Sequence, residues 1–173
     1  MFGPVGGRPR TVQHVTLGAT SDGQLTAIRH TSTSNSSMLD DWLEPSALQT
    51  RMLYTSPNAV TDHAIVRLNV GSPTFMRAPG ESTGTYALES AMDELAVALD
   101  MDPVALRLRN YAEHDPQSGK PWSSKSLREC YQIATERFGW SKRNPTPRSM
   151  RDGRMLVGWG MATATYPART LAS

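Results

Sequence analysis

A short run rich in proline and glycine, residues 71–81, interrupts the chain just before its longest helix-forming segment. The run reads Gly-Ser-Pro-Thr-Phe-Met-Arg-Ala-Pro-Gly-Glu. Pro73 and Pro79 fix φ and lack an N–H, whereas Gly71 and Gly80 permit dihedral angles that side chains forbid. The run therefore predicts a loop through which neither a strand nor a helix can continue.

Arg77 stands in the middle of this loop. A guanidinium is permanently charged and presents five donors in a fixed fork, which suits phosphate or another oxyanion. The loop thus indicates an anion-binding site between a strand and a helix. Two alternatives stay open on this evidence: a plain connector with a solvated arginine, which composition favours, and a phosphate-binding α+β domain of another family.

The composition describes a globular chain rich in loops. Hydrophobic residues make up 38% of the 173 residues, and 13 glycines and 12 prolines accompany them. A formal charge of +2, with basic residues clustered only between Lys142 and Arg154, excludes an extended nucleic-acid-binding stripe. That cluster lies in a Pro- and Ser-containing stretch, which favours a solvated loop.

The single cysteine, Cys130, excludes an internal disulfide, and its apolar position in a helical pattern predicts a buried thiol. No apolar run reaches the roughly 18 residues of a membrane span, and residues 1–8 lack the regions of a signal peptide. We therefore expect a cytoplasmic rather than a periplasmic location.

The first half of the chain predicts mainly strands. Two runs joined around Ser21-Asp22-Gly23 are typical of a hairpin, and further on we predict a loop, a short helix broken at Pro45, and two more strands. The predicted ranges are Thr11–Thr16 and Gln24–Thr31 (hairpin), Ser32–Ser37 (loop), Met38–Leu48 (short helix), and Thr50–Thr55 and His63–Val70 (strands).

The second half predicts three helices and a final strand. Apolar residues recur at helical spacing from Tyr86 to Leu99, and Asp102-Pro103 is a typical helix start. A capping box at Ser126–Glu129 opens the third helix, which Gly139 ends. The run Met155–Tyr166 predicts a strand in which Gly158 and Gly160 make bulges or close backbone contacts. Strands followed by helices indicate an α+β fold.

Common catalytic motifs are missing from the sequence, so residue chemistry alone names no reaction. The four histidines are too scattered for a metal site. Glu89, Asp93 and Glu94 lie at helical spacing, which predicts a solvated face, whereas Glu81 at the helix start favours capping of exposed N–H groups.

Several elements together resemble the molybdopterin-binding large subunit of the xanthine dehydrogenase and aldehyde oxidase family. The resemblance covers nearly the whole chain and agrees in the order and spacing of its elements. They are Gly6-Gly7-Arg8, the hairpin, Ser56-Pro57-Asn58, Phe75-Met76-Arg77-Ala78-Pro79-Gly80, the helix from Ala87 to Ala96, Asp102-Pro103, Arg107-Leu108-Arg109-Asn110 and the helix from Ser126 to Trp140. The Arg-Ala-Pro-Gly-Glu form is similar to the bacterial aldehyde-oxidase-like branch.

This resemblance implies roles for five residues. Arg77 matches the arginine that lies beside the metal centre in the family, and Ala78 and Gly80 share its cofactor-contacting loop. Pro79 falls where the animal enzymes have a phenylalanine that lines the substrate pocket. Pro45 falls where the xanthine enzymes have a substrate-orienting arginine, so the resemblance argues against purine binding in the manner of those enzymes and leaves an aldehyde or an N-heterocycle as the expected substrate.

The resemblance also implies the chemistry and the partners. The expected reaction is hydroxylation with water as the oxygen source, carried by a molybdenum cofactor whose cytosine dinucleotide form is one alternative. Electrons are expected to leave through an iron–sulfur subunit and an FAD subunit of the same complex. No residue of this chain is assigned as catalytic or as a metal ligand, because the family's glutamate base and its Gly-Phe-Gly-Gly loop have no match here.

We therefore expect residues 1–173 to form a partial molybdopterin-binding domain. Its predicted segments are a strand-rich segment (1–75), the cofactor loop (71–81), a helical segment (82–140), and a loop with a final strand (141–173). The hypothesis is an internal segment of a molybdenum hydroxylase that is inactive as an isolated chain. The alternative is a non-catalytic interaction or scaffold module derived from the same fold.

Overall fold

The computed structural model describes residues 6–166, which form mixed strands and helices, so the predicted α+β class is confirmed. The strands are β1 (Thr11–Ala19), β2 (Leu25–Ser37), β3 (Ala59–Leu68), β4 (Arg151–Asp152) and β5 (Met155–Leu156). The helices are α1 (Glu81–Ala98), α2 (Pro103–Arg109) and α3 (Leu127–Phe138), with short 3₁₀ helices at Ser46–Arg51 and Trp140–Lys142.

β2 is the centre of a three-stranded sheet in the order β1-β2-β3. The predicted hairpin is confirmed, because β1 and β2 pair antiparallel with Val15 opposite His30. β3 pairs parallel to the other side of β2, with Thr61 opposite His30. The parallel pairing requires the long connection between β2 and β3, which carries the 3₁₀ helix Ser46–Arg51.

The prediction of a loop at Ser32–Ser37 was wrong, because β2 continues through all of these residues. Ser32, Ser34 and Ser36 lie buried on one face of the sheet, whereas Thr33 and Asn35 between them are only partly buried. Serine carries no hydrophobic signal, so the alternation of a half-buried strand is invisible in the residue types. Backbone pairing stabilises this segment instead, with β1 as far as Ser34 and with β3 along its whole length.

The region around residues 38–60 also differs from its prediction. Thr50–Thr55 is not a strand: the 3₁₀ helix runs to Arg51, and only Tyr54 forms a single bridge, with Tyr111. The predicted short helix is reduced to this 3₁₀ segment, which starts after Pro45. β3 begins at Ala59, earlier than predicted, because parallel pairing with β2 starts there.

The three predicted helices are present, with one error in capping. The Asp102 side chain accepts hydrogen bonds from the N–H groups of Val104 and Ala105, and Gly139 ends α3 in the left-handed conformation with φ of +77°. The capping box at Ser126 was wrong. Ser126 has φ of −91° and ψ of 35° and makes no side-chain capping hydrogen bond, since this backbone is not the extended one that a capping residue adopts.

The segment from α3 onward departs most from the predictions. Cys130 is exposed, not buried, because α3 buries only Tyr131. The predicted strand Met155–Tyr166 is wrong beyond the two residues of β5, which pairs with β4. Gly158 and Gly160 make no close contact, since a Cβ at either position would meet nothing within 4 Å.

The core lies between the sheet and α1, and a buried ion pair packs beside it. Leu25, Ile28, Leu53, Tyr54, Leu88, Met92, Ala96 and Leu106 form its apolar cluster. Beside it, Arg107 Nε donates to Glu89 Oε2 at 2.8 Å, and both side chains are almost fully buried. Burial alone would lower the pKa of Arg107, but the neighbouring Glu89 carboxylate raises it above its usual range. The prediction that Glu89 is solvated was therefore wrong.

The predicted solvated position of Asp93 is only partly correct. Its carboxylate is half-exposed, yet Oδ1 lies 2.9 Å from Arg107 Nη1. Glu94 is exposed, as predicted. Within residues 6–166, no helix combines the length and the apolar character that crossing a membrane requires.

Gly84 allows α1 to touch the start of the first 3₁₀ helix, which gives a test of this packing. A Cβ at Gly84 would lie 1.5 Å from the backbone oxygen of Ser46. Helix propensity alone predicts that Gly84→Ala stabilises the protein by about 1 kcal/mol. Because the clash is with backbone, we expect the opposite sign, a loss of about 3 kcal/mol or more in the free energy of unfolding.

Chemical denaturation measures this difference. Ser82→Ala, at an exposed position of the same helix, is the matched control and is expected to change stability by less than about 0.5 kcal/mol. A Gly84→Ala protein at least as stable as the unsubstituted one would show that α1 does not approach Ser46 this closely.

Candidate functional site

The predicted anion-binding loop follows β3 and leads directly into α1. It is irregular from Gly71 to Gly80, as its prolines and glycines predict. Its first half is tied to distant segments: Thr74 N–H donates to the Gly7 carbonyl at 3.1 Å, and the hydroxyls of Ser72 and Ser37 lie 2.7 Å apart. The N-terminal Gly-Gly-Arg element therefore lies beside this loop, although more than sixty residues separate them in sequence.

The Arg77 side chain is exposed at the tip of the loop. Among residues 6–166, no carboxylate or carbonyl pairs with its guanidinium, whereas its backbone carbonyl accepts a hydrogen bond from Arg8 Nη2. The backbone is thus fixed and the charged group is left open. This is the arrangement expected of an arginine that binds an anion from outside the chain.

Arg8 and Glu44 form a bracket under the loop. Arg8 Nη1 donates to Glu44 Oε1 at 2.7 Å and to the Ala78 carbonyl at 3.1 Å. The Gly80 N–H donates to the same carboxylate oxygen at 2.8 Å. The carboxylate is almost fully buried, whereas the Arg8 side chain is partly exposed.

The loop backbone is unusual at two of the predicted site residues. Ala78 has φ of +56° and Gly80 has φ of +82°. A non-glycine residue in the left-handed region costs conformational energy, so surrounding contacts must hold Ala78 there. The contacts come from the bracket, because Arg8 binds the carbonyls of both Arg77 and Ala78.

Pro45 lies against this section of the loop. A Cβ at Gly80 would lie 2.5 Å from the Pro45 carbonyl oxygen, so only glycine permits this approach. Pro79 is half-buried next to Gly80. The structure therefore brings Pro45, Pro79 and Gly80 together, as well as Arg77 and Ala78, and so gathers all five predicted site residues in one region.

Exposed apolar side chains border the open side of the loop. Phe75 is 69% exposed and packs edge to face against Trp42, with ring centroids 4.3 Å apart. Met76 is also exposed. Apolar groups next to a free guanidinium would shield an ionic contact from water once a ligand covers them.

Sequence reasoning missed Glu44 and Trp42. Both lie in a stretch, Asp40-Asp41-Trp42-Leu43-Glu44, in which acidic residues indicate an exposed loop. Glu44 directly precedes Pro45, which was the only local sign that it differs from its neighbours. Nothing else in a single sequence distinguishes this buried glutamate from the exposed aspartates before it. Its role depends on contacts with Arg8 and Gly80, each 36 residues away.

A buried histidine, His30, is linked by hydrogen bonds through Gln13 to the first turn of α1. His30 Nδ1 lies 2.7 Å from Thr50 Oγ1, and its Nε2 lies 3.0 Å from Gln13 Oε1. Gln13 Nε2 donates to the Thr83 carbonyl in the first turn of α1. Since an amide oxygen can only accept, Nε2 carries the hydrogen of the neutral ring. Burial, with a smaller effect of nearby His63, lowers the pKa of His30 to about 4.

No predicted site residue lines the broad groove that α1 borders. This groove, of about 570 Å3, lies between β1 and α1 and is lined by residues such as Gln13, Thr83 and Glu94. Within the described residues of the chain, no group of three or more His, Cys, Asp or Glu residues could hold a metal ion.

Comparison with known proteins identifies relatives of this chain. A family model described as the molybdopterin cofactor-binding domain matches residues 1–111. The aldehyde oxidoreductase molybdenum-binding subunit PaoC of Escherichia coli K12 is 40% identical over 156 residues, which cover 90% of this chain and 21% of that protein. The putative xanthine dehydrogenase molybdenum-binding subunit XdhA of the same strain is 35% identical over 105 residues, covering 59% of this chain and 14% of that protein.

Solved structures share the fold. The aldehyde oxidoreductase from Desulfovibrio desulfuricans matches with a TM-score of 0.68 and 24% identity, covering 79% of this chain and 16% of that one. The chain thus spans about a fifth of the length of the PaoC subunits that it matches.

The low pKa of His30 generates a prediction of pH dependence. The unfolded histidine has its ordinary pKa of 6.5 and the folded one a pKa of about 4, so between these values the unfolded state binds more protons. The contribution of neutral His30 to the free energy of unfolding is therefore fully present above pH 6.5. It is lost as the pH decreases toward 4, by up to about 3 kcal/mol. Burial also lowers the pKa of His63, which adds loss in the same direction.

Denaturation at a series of pH values checks this expectation. His30→Gln keeps a polar group but removes the titration, so its stability is expected to depend less steeply on pH. His14→Gln, at an exposed position of β1, is the control and is expected to retain the steep dependence. Equal slopes for the His30→Gln protein and the unsubstituted protein would contradict the prediction.

Proposed function

Because the chain belongs to the molybdopterin cofactor-binding domain family of the molybdenum hydroxylases, we propose that it forms one wall of the cofactor site in a longer molybdenum-binding subunit. That subunit oxidises aldehydes or N-heterocycles with water as the oxygen source. One observation carries the proposal: the guanidinium of Arg77 is exposed and has no partner within residues 6–166, while its backbone is fixed by Arg8.

The residues at the loop fit an anionic cofactor. A guanidinium fork matches phosphate or oxo groups in charge and in hydrogen-bond geometry. Nearby backbone is also accessible, since a Cβ at Gly7 or at Gly71 would meet nothing within 4 Å. Arg77, Ala78 and Gly80 are the residues that would contact the group.

Molybdopterin, when bound, supplies the two-electron redox chemistry that amino-acid side chains lack. The contribution of this chain is to bind and to orient. Arg77 holds an anionic group at a fixed place, because its backbone cannot shift without breaking the contacts to Arg8. Phe75 and Met76 exclude water from that contact, which strengthens it by lowering the local dielectric.

Pro79 and Pro45 border the substrate in this proposal. Neither side chain carries a charge or a donor, so neither can bind a polar substrate group by hydrogen bonding. We therefore propose an aldehyde or another N-heterocycle as substrate, since this wall offers no side-chain donor or charge with which to orient a purine in the manner of the xanthine enzymes. The name of the E. coli relative, an aldehyde oxidoreductase, supports the choice of an aldehyde.

Partner subunits complete the proposal. The relatives are named as molybdenum-binding subunits, which supports an assembly in which other subunits carry iron–sulfur clusters and FAD.

The cofactor is proposed to be the cytosine dinucleotide form, which chromatography of the nucleotide released by acid would identify. Residues 1–173 act as a partial domain, with a strand-rich segment (1–75), the loop (71–81), a helical segment (82–140) and a final segment (141–173).

Substitution of Arg77 in the full-length subunit tests the role of the loop. Arg77→Ala removes the only side-chain cation that the loop contributes, so we expect the affinity for the cofactor to fall at least about tenfold, the loss typical of a charge-assisted contact, and the molybdenum content to fall with it. Arg77→Lys keeps the charge without the fork and is expected to give an intermediate content. Metal analysis of the purified protein by mass spectrometry measures both.

The matched control is Arg29→Ala, which removes an exposed arginine of β2 far from the loop in sequence. It is expected to leave the molybdenum content unchanged. A full molybdenum content in the Arg77→Ala protein, with normal turnover of aldehydes, would overturn the proposed role of Arg77.

The isolated chain provides a second test. A cofactor site built from distant segments cannot be completed by one wall, and proton transfer requires a base within hydrogen-bond reach of the reacting group. We therefore expect the purified 173-residue chain to retain no stoichiometric molybdenum and to show no aldehyde oxidation. Stoichiometric molybdenum in this chain would contradict the one-wall proposal, and a full-length protein that also lacked the metal would favour the scaffold alternative.

A further inference from the structure

We infer that Glu44 and Arg8 are positioning residues that give the loop at residues 77–80 its binding shape. This inference rests on the proposed function, because the loop matters only if Arg77 contacts a ligand. The two residues touch the loop through its backbone and contact neither the Arg77 guanidinium nor the open side of the loop.

The contacts join three segments at a single carboxylate oxygen. Glu44 Oε1 accepts from Arg8 Nη1 at 2.7 Å and from the Gly80 N–H at 2.8 Å. The same Arg8 nitrogen also donates to the Ala78 carbonyl at 3.1 Å, and its other terminal nitrogen donates to the Arg77 carbonyl. Three backbone groups of the loop are therefore fixed by one ion pair.

The burial of Glu44 shows that the pair does more than join two surface charges. Its side chain is 1% exposed. Within residues 6–166 its second oxygen, Oε2, has no hydrogen-bond partner. A buried carboxylate is costly to desolvate, and an ion pair that contains one adds little net stability over an apolar pair of the same size. The contacts of Glu44 are with the loop residue Gly80 and with Arg8, which itself binds the loop. This favours a role for Glu44 in setting the backbone conformation of residues 77–80.

The conformation that the bracket sets is one that the loop would not adopt alone. The backbone of Ala78 is in the left-handed region, with φ of +56°. This region is unfavourable for any residue that has a Cβ. Arg8 binds the carbonyl on each side of the Ala78 nitrogen–Cα bond, those of Arg77 and Ala78. Without Arg8 we expect Ala78 to relax toward an ordinary φ and to swing the Arg77 side chain away from its present direction.

Hydrogen exchange of the full-length protein measures this effect independently of turnover. The peptide that contains Gly80 is followed by mass spectrometry in the Glu44→Ala, Glu44→Gln and Arg8→Lys variants. We expect the Gly80 amide to exchange about tenfold or more faster in Glu44→Ala, because its charge-assisted hydrogen bond is lost. Glu44→Gln keeps an acceptor oxygen and is expected to rescue some of the protection.

Two controls separate a local change from general loss of structure. Asp41→Asn breaks the exposed ion pair with Arg67 only three residues before Glu44 and is expected to leave Gly80 exchange unchanged. Peptides of α2, which the bracket does not touch, are expected to exchange at the same rate in every variant. Unchanged Gly80 exchange in Glu44→Ala, or equal acceleration in α2, would overturn the inference.

A spectroscopic readout tests the link to the cofactor. In protein that retains molybdenum, we expect the Mo(V) electron paramagnetic resonance signal to shift in Glu44→Gln and Arg8→Lys, but not in Asp41→Asn. An unshifted signal at matched molybdenum content would show that the bracket does not position the binding group. If Arg77→Ala leaves the molybdenum content and the turnover of aldehydes unchanged, the proposed role of Arg77 fails, whereas the exchange of Gly80 still decides whether Glu44 and Arg8 shape the loop.

Discussion

The buried ion pair between Glu89 and Arg107 is the interaction on which the rest of the structure depends. It joins α1 to α2, and two further groups meet the same carboxylate: the Tyr54 hydroxyl donates to Oε1, and the Thr163 N–H donates to Oε2 at 2.7 Å. Burial raises the pKa of Tyr54, so its hydroxyl keeps the proton that it donates. Four separate segments are thereby held at one charged centre, whose loss would leave an unpaired charge in the core.

With α1 held at its middle, its beginning is held against the start of the first 3₁₀ helix. Gly84 meets the Ser46 backbone and Gly80 meets the Pro45 backbone, two contacts that only glycine permits. The loop must therefore end where Glu44 can accept the Gly80 N–H. Packing in the core thus places the end of the loop at Gly80, and the contacts of Arg8 with the carbonyls of Arg77 and Ala78 then fix the backbone before it.

The site is made of distant pieces of sequence, which agrees with a wall of a larger site. Arg8, Glu44 and the loop 71–80 are brought together by the sheet, since residues 6–8 precede β1 and Glu44 follows β2. The bracket places the buried Glu44 carboxylate and the partly exposed Arg8 side chain against the loop backbone, while the Arg77 guanidinium and the apolar side chains of Phe75 and Met76 are exposed. This division between positioning groups and binding groups is typical of preorganised sites.

The sequence by itself determined the hairpin, the three helices, the irregular loop around Arg77 and the family, because each has a local signal: a turn, an apolar period, a proline, a motif. Only the tertiary structure decided that Ser32–Ser37 is a strand, that Cys130 is exposed, and that Glu89 and Glu44 are buried. The physical reason is that burial and pairing depend on partners far away in the chain. A serine in a central strand and a glutamate beside an arginine from another segment have the same local sequence character as residues in a solvated loop.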